Sequence, residues 1–409
     1  MPIKDGPWKT DNWFVSQWNY LPEVTKDFHP PKQVKIHDIT LRDGEQQAGI
    51  TFTKDDKIRI AEKLAEVGVH RIETGMPAVS PIDEAAIREI VKRKLGPEIF
   101  CFSRCMVDDV KRAADCGVDG VVMEIPSSDH LIEYAYQWPL EKAIDLSIKA
   151  TAAAKELGLY TVFFTIDASR ADIDWVLNLV QRVATEGHMD SFTLVDTFGV
   201  LSPHAATYFT KKAKERINKP LEIHFHDDFG MGVANTIMAV MAGAEVIHST
   251  VNGLGERAGN ASMEETVLSL LTLYGIDTGI KYNKLNELSK LVCELSGVGI
   301  PNNRCFVGDT AYDIESGIIT SWYKNVFHQY PTEIFPVHHD FVGHRAPKIL
   351  MGKKSGVDNI GLWTKKLGIS LNEDETMAVL SRVKQQAHDK KRVLDESEFK
   401  KIIEEVKAK

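Results

Sequence analysis

The 409-residue chain is short of several features, and each shortage removes a class of protein. It has only five cysteines, Cys101, Cys105, Cys116, Cys293 and Cys305. They are odd in number and scattered, and no second pair joins Cys101 and Cys105 to complete a zinc-type set. Core thiols in a reducing compartment are therefore expected, not a disulfide framework or a thiolate metal site. No run of about 18 apolar residues occurs, and the opening MPIKDGPWKTDNWF carries no apolar leader core. This predicts a cytoplasmic protein with no membrane partner. Positive charge is not in excess either: 49 basic against 58 acidic residues leave -9. Broad binding to nucleic acid is excluded on that balance, whereas a local basic pocket for a small anion is not.

Short β-branched or aromatic runs are present in a regular rhythm: VKIHDIT (34–40), RIET (71–74), IFCFSR (99–104), GVVMEI (120–125), TVFFTID (161–167), FTLVDT (192–197), EIHFHD (222–227) and VIHSTVN (246–252). Amphipathic stretches such as DDKIRIAEKLAEVG lie between them, with apolar residues every three or four positions. Strands alternating with helices imply parallel pairing through right-handed crossovers. Eight units over about 240 residues predict a (β/α)8 TIM barrel. A doubly wound open sheet is the alternative, but no Gly-x-Gly-x-x-Gly follows the first strand. The expected segments are an N-terminal arm over 1–33, rich in tryptophan, and a barrel over 34–280. A small mixed α/β or α-helical linker subdomain over 281–370 and a helical tail over 371–409 follow. The arm and the irregular subdomain both need cover, which predicts a homodimer or higher homo-oligomer.

In a barrel the C-terminal strand ends face the site. Those ends deliver Arg42, Asp43 and Gln46 from the first strand, Glu73 from the second and Arg104 from the third. Asp167 and Arg170 come from the fifth, Asp196 and Thr197 from the sixth, His224 and His226 from the seventh, and Glu256 and Asn260 from the loop after the eighth. His224 and His226 are two apart on a strand and share one face. Two imidazoles with the carboxylate of Asp43 and the amide of Asn260 suit a divalent ion with open positions for water or substrate. Beside such an ion, Arg42 is placed to stabilise an enolate or alkoxide oxygen, with Glu73 orienting it. Thr197 and Arg104 are candidates for a substrate carboxylate.

The segments HDITLRDGEQQAG, RIETGMPAVSP, LVDTFG, HFHDDFGMGVAN and GLGERAGNASMEE resemble the signature segments of the DRE-TIM metallolyase superfamily. That group includes 2-isopropylmalate, homocitrate, citramalate and Re-citrate synthases and the HMG-CoA lyase barrel. The resemblance implies a divalent metal, Mg, Mn or Zn, on Asp43, His224, His226 and Asn260. It implies a 2-oxo acid whose carbonyl meets the metal and Arg42 and whose carboxylate meets Thr197, with Gln46 and Glu73 lining the pocket. Arg170 is assigned to substrate binding and Glu256 to catalysis. The implied activity is a Claisen-type condensation of an acyl-CoA, acetyl-CoA above all, with the 2-oxo acid. A lyase running the reverse bond cleavage and a catalytically silent paralogue are the alternatives. VGDTAYDIESGIITSWYKN and ILMGKKSGVDNIGLWTKKLG resemble the linker subdomain of the condensing synthases, which favours the synthase branch. Where those synthases place histidines, this chain has isoleucine, with Ile314 and Ile319 at the positions concerned, and Lys354. A base is therefore sought elsewhere, with His328, His338, His339 and His344 as candidates.

Overall fold

The computed structural model describes residues 6–408. The chain divides into two compact units, one over Trp18–Ile300 and one formed by the segment before Trp18 together with Pro301 onward.

The first unit is a closed barrel of eight parallel strands in chain order. They are β1 Lys35–Asp38, β2 Arg71–Glu73, β3 Glu98–Arg104, β4 Gly120–Pro126, β5 Tyr160–Ile166, β6 Ser191–Asp196, β7 Leu221–Phe225 and β8 Val246–Ser249. The circle closes where β8 pairs with β1, Lys35 opposite Val246 through Asp38 opposite Ser249. The eight expected strands are therefore all present. The eighth stops short of the expected residue 252, because Asn252 turns left-handed at φ 61 and a single 3-10 turn replaces the ladder.

The helices between strands are set by local signals. Thr53 accepts from the Asp56 amide while the Asp56 carboxylate accepts from the Thr53 amide, which starts helix Lys54–Val67 with a reciprocal cap. Gly68 ends that helix at φ 92, a left-handed position that glycine adopts without a Cβ clash. Its buried face, Ile58, Ile60, Ala61, Leu64 and Val67, packs towards the strands.

Alternation along the strands decides what fills the barrel. Phe100, Phe102, Val122, Val162, Phe164 and Val195 form an apolar interior cluster. Gly120 faces the same way, and a Cβ there would stand 2.3 Å from the Phe100 ring. Several other interior positions are charged or polar, which is unusual for layers that branched aliphatics normally occupy. Arg71 donates to Glu98 and Glu222 at 2.8 Å each, and Ser191 donates to Glu222 at 2.6 Å. The guanidinium of Arg71 lies between the rings of Phe100 and Tyr160, at 4.7 and 4.6 Å.

The second unit is helical, with isolated bridges and no strand among the described residues. The helices Val357–Leu367, Glu373–Lys390 and Glu396–Lys407 close on a core that includes Ile360, Val379, Val383, Phe399, Ile402 and Ile403. Of the two forms expected for this region, the helical one is found. The grouping also differs from the sequence segmentation. Trp13 bridges to Val337 in the helical unit, whereas Tyr20 and His29 bond Thr272 and Met241 of the barrel unit, both at 2.7 Å. Helix Leu285–Ser296 also belongs with the barrel, where Glu287 accepts from Lys63 at 2.7 Å.

Candidate active site

After β1 the chain makes one tight turn. The Ile39 carbonyl accepts from the amides of Arg42, Asp43 and Gly44 at 3.1, 2.9 and 3.1 Å, which folds the next two side chains back over the barrel mouth. Asp43 and Arg42 are both buried there. Arg42 Nη1 donates to Asp43 Oδ1 at 2.7 Å and to Gln46 Oε1 at 3.2 Å, and Nε donates to Glu73. The guanidinium lies 3.9 Å from the centre of the Phe102 ring. Four contacts thus fix its plane.

On β7, His224 and the following His226 point inward on either side of outward Phe225, and their Nε2 atoms stand 3.1 Å apart. His226 Nε2 is 3.9 Å from Asp43 Oδ2. The backbone carbonyl of Gly259 sits 3.1 Å from His226 Nδ1, which directs the Nδ1 proton outward and leaves the Nε2 lone pair aimed into the site. Burial, reinforced by the neighbouring charges of His226 and Arg42, holds His224 well below the usual histidine range, so the ring is neutral and able to ligate. Asn260 bridges to His226 and donates to Asp43 and to the Leu254 carbonyl. Gly255, at φ 153, passes so close that a Cβ would stand 2.2 Å from Asn260 Nδ2 and 3.2 Å from Asp43 Oδ2. That approach explains a glycine within GLGERAGN.

Asp43, His224 and His226 present one ligand atom each within 4.8 Å of one another, all buried. His224 Nδ1, Asn260 Oδ1 and Arg42 Nη2 have no hydrogen-bond partner although they are buried. Unsatisfied polar atoms at such depth cost about 1–3 kcal/mol each. A set of imidazole nitrogens with carboxylate and amide oxygens, converging beside unsatisfied atoms, fits a divalent cation.

Below lies a second buried group, His37, Glu222 and His248. Its character is different. Glu222 Oε1 is held by Arg71 and Ser191, and Oε2 lies 2.8 Å from His248 Nε2. Burial is outweighed there by the His248 and His37 hydrogen bonds and the charge of Arg71, so the carboxyl stays well below its usual range and ionised. A cation beside Arg71 would face an existing positive charge, so this is a satisfied ion-pair layer beneath the site. Sequence reasoning missed it, because a polar residue at every second strand position reads as the outer face of a sheet.

The structure brings Arg42, Asp43, Gln46, Glu73, His224, His226 and Asn260 into one cluster. Four other candidates are held differently. Arg104 is half-exposed and grips Asp109 at 2.7 and 3.0 Å. Arg170 grips Asp167 at 2.7 and 2.9 Å and lies 3.9 Å from the Phe198 ring centre. Thr197 Oγ accepts from the Asp167 amide at 2.8 Å. Glu256 is exposed, 3.6 Å from Arg257, and is not drawn to the cluster. Of the histidines in the helical unit, His344 faces the Arg345 and Gly308 carbonyls at 3.0 Å each, and His339 faces the His344 carbonyl at 3.2 Å. Both rings are engaged by backbone.

Comparison with known proteins places this arrangement. The HMGL-like family model matches residues 33–292. A putative (R)-citramalate synthase of Archaeoglobus fulgidus is 43% identical over 375 residues, 91% of this chain and 75% of that protein. A homocitrate synthase of Methanopyrus kandleri is 38% identical over 387 residues, 95% of this chain and 96% of that one. Among solved structures, hydroxymethylglutaryl-CoA lyase of Pseudomonas aeruginosa superposes with a TM-score of 0.60 at 21% identity, covering 69% of this chain and 98% of that one, a likeness of fold. With a family model spanning most of the chain and relatives aligned along nearly all of it, the chain belongs to the HMGL-like family.

Proposed function

We propose that this chain is an acyltransferase that condenses acetyl-CoA with a 2-oxo acid, releasing CoA and a 2-hydroxy di- or tricarboxylic acid. The observation that carries the reading is the product class in the names of relatives aligned along 91% and 95% of the chain. Citramalate and homocitrate each have a carbinol carbon bearing both a carboxylate and a CH2COO− arm. Disconnecting that arm leaves an acetyl nucleophile and a 2-oxo acid.

Asp43, His224, His226 and Asn260 would hold a divalent ion, Mg, Mn or Zn. Such an ion, when bound, polarises the oxo acid carbonyl and offsets negative charge on its oxygen. Arg42 supports the same role: its Nη2 has no partner, while Glu73, Asp43 and Gln46 fix the rest of the guanidinium. A preorganised donor of this kind reorients little as charge develops. Thr197 Oγ accepts from the Asp167 amide, so its own proton is left for a substrate carboxylate. Arg104 and Arg170 lie at the rim, where a substrate carboxylate would compete with Asp109 and Asp167 for their guanidinium edges.

The test is free-thiol release from acetyl-CoA with pyruvate, oxaloacetate or 2-oxoglutarate and each metal in turn. One active oxo acid supports the reading. Cleavage of a hydroxyacyl-CoA, with no thiol release from any oxo acid, replaces it with a lyase.

A further inference from the structure

A Claisen condensation needs a base for the methyl proton of the thioester. Most carboxylates at the barrel mouth are already held. Asp43 and Glu73 hold Arg42, Asp167 holds Arg170 and accepts from Ser128, and Asp228 holds Arg257. Asp196 accepts from Ser169 and from the amides of Val200 and Leu201, and Asp227 accepts from the Gly232 amide. Glu45 is paired with Lys57 at 2.6 Å.

Glu124 is the exception. It lies on β4, two residues beyond Val122, whose side chain belongs to the interior cluster, so it faces inward one layer nearer the mouth. Its strand neighbours in register are Arg104 on β3 and Phe164 on β5. Phe164 also lies beneath Arg42, with the guanidinium 5.7 Å from its ring centre. Among the described residues, the Glu124 carboxylate has no hydrogen bond and no cation within ion-pair distance. It is an inward-facing acid beside the arginine of the site, with no structural partner.

We propose that Glu124 is the catalytic proton carrier of the condensation, a role that rests on the function proposed above. Its carboxylate takes a proton from the thioester methyl. The C–H electron pair forms the enolate and then the new bond to C2 of the oxo acid. The carbonyl π pair moves to oxygen, and the Glu124 carboxylic acid returns the same proton there. Hydrolysis of the thioester by water then breaks the C–S bond and releases the thiol.

The surroundings suit that cycle. Burial is the main cause raising the Glu124 carboxyl above the usual glutamate range, opposed by Arg42 and Arg104 and assisted by Asp109 and Glu73. The charge of Glu124 is also felt by Tyr136 and Cys105, both raised chiefly by burial. A raised carboxyl pKa brings the base closer in strength to a thioester carbon acid.

The experiment uses full-length protein loaded with metal, acetyl-CoA and whichever oxo acid supports thiol release. Glu124→Gln is expected to lower kcat by roughly 10²–10⁴-fold, the usual range for a lost general base, with bound metal and KM for the oxo acid little changed. Exchange of acetyl-CoA methyl protons with D2O in the presence of a non-reacting oxo acid analogue should fall in parallel. Glu124→Asp keeps a carboxylate and should retain an acid limb in kcat that the Gln variant lacks. Thiol release by Glu124→Gln at the wild-type rate would overturn the role while leaving the condensation standing. So would a variant that loses KM and kcat together but keeps methyl exchange. Wild-type protein that releases no thiol with any oxo acid removes the parent reading, and Glu124's role with it.

Discussion

The Nε2 atoms of His224 and His226 stand 3.1 Å apart inside a barrel mouth where His226 Nδ1 is already turned to the Gly259 carbonyl. With His226 Nδ1 engaged by that carbonyl, its Nε2 faces His224 Nε2, an arrangement that a shared hydrogen bond or a shared divalent ion satisfies. Removing either ligand should separate binding from folding. His224→Ala and Asp43→Ala are expected to lose stoichiometric divalent ion in elemental analysis and to lose activity, with far-UV circular dichroism unchanged. Retention of one ion per chain by both variants would dismiss the assignment.

Arg42→Lys should leave metal content intact and lower kcat by about 10²–10³-fold, the scale of one lost preorganised donor. Lysine cannot keep the fork that bonds Glu73, Asp43 and Gln46 at once, nor the flat stack on Phe102. Steady-state kinetics at saturating metal decide it: near-native kcat in the lysine variant would show that charge alone suffices.

Gly255→Ala puts a methyl group into Asn260 Nδ2 and strains a φ of 153. The expected result is weaker metal binding by titration calorimetry, with the barrel still folded. An alanine variant that binds metal as tightly as wild type would mean that the loop is free to move aside.

Lys57 is almost fully buried, between Glu45 at 2.6 Å and Asp83 at 2.7 Å. Lys57→Met leaves two acids facing each other without their cation and should cost about 3 kcal/mol in urea unfolding. An unchanged midpoint would show that the partners relax into solvent.

Metal-free stability should depend on His37. Burial, with His248 beside it, lowers its pKa to about 3 from the usual 6.5. The folded state therefore binds fewer protons there than the unfolded chain, so the contribution is whole above about pH 6.5 and is lost progressively as pH falls towards 3. Asp38, raised to about 7 chiefly by burial, works with the opposite sign, its stability contribution falling as pH rises through the same range. The difference between wild type and His37→Phe isolates the first effect. Urea unfolding at pH 7.5 and 5 should show a smaller acid loss in the variant, and equal losses would rule His37 out.

Much of this was legible in the sequence for plain reasons. Parallel strands buried on both faces read as near-continuous β-branched runs, so all eight could be seen. Charged residues at their C-terminal ends had no core role, so Arg42, Asp43, His224 and His226 stood out. Glu124 did not, because GVVMEIP surrounds one acid with apolar residues and shows no motif. Strand parity from Val122 was the signal that could have found it. The Arg71–Glu222–His248 layer was missed because it needs three strands that are distant in sequence to meet. The division of the N-terminal arm could not be read either, since Trp13 and Tyr20 are chemically alike and only tertiary partners separate them.

The ring-clamped Arg71 has a consequence for traffic. With Phe100 and Tyr160 on its faces and Glu98 and Glu222 on its edges, the lower end of the barrel is stoppered. The barrel is a cup and not a tube. Whatever reaches His224 and His226 must therefore pass through the same opening as whatever reaches Glu124, and leave by it, because a blind-ended vessel has no second door.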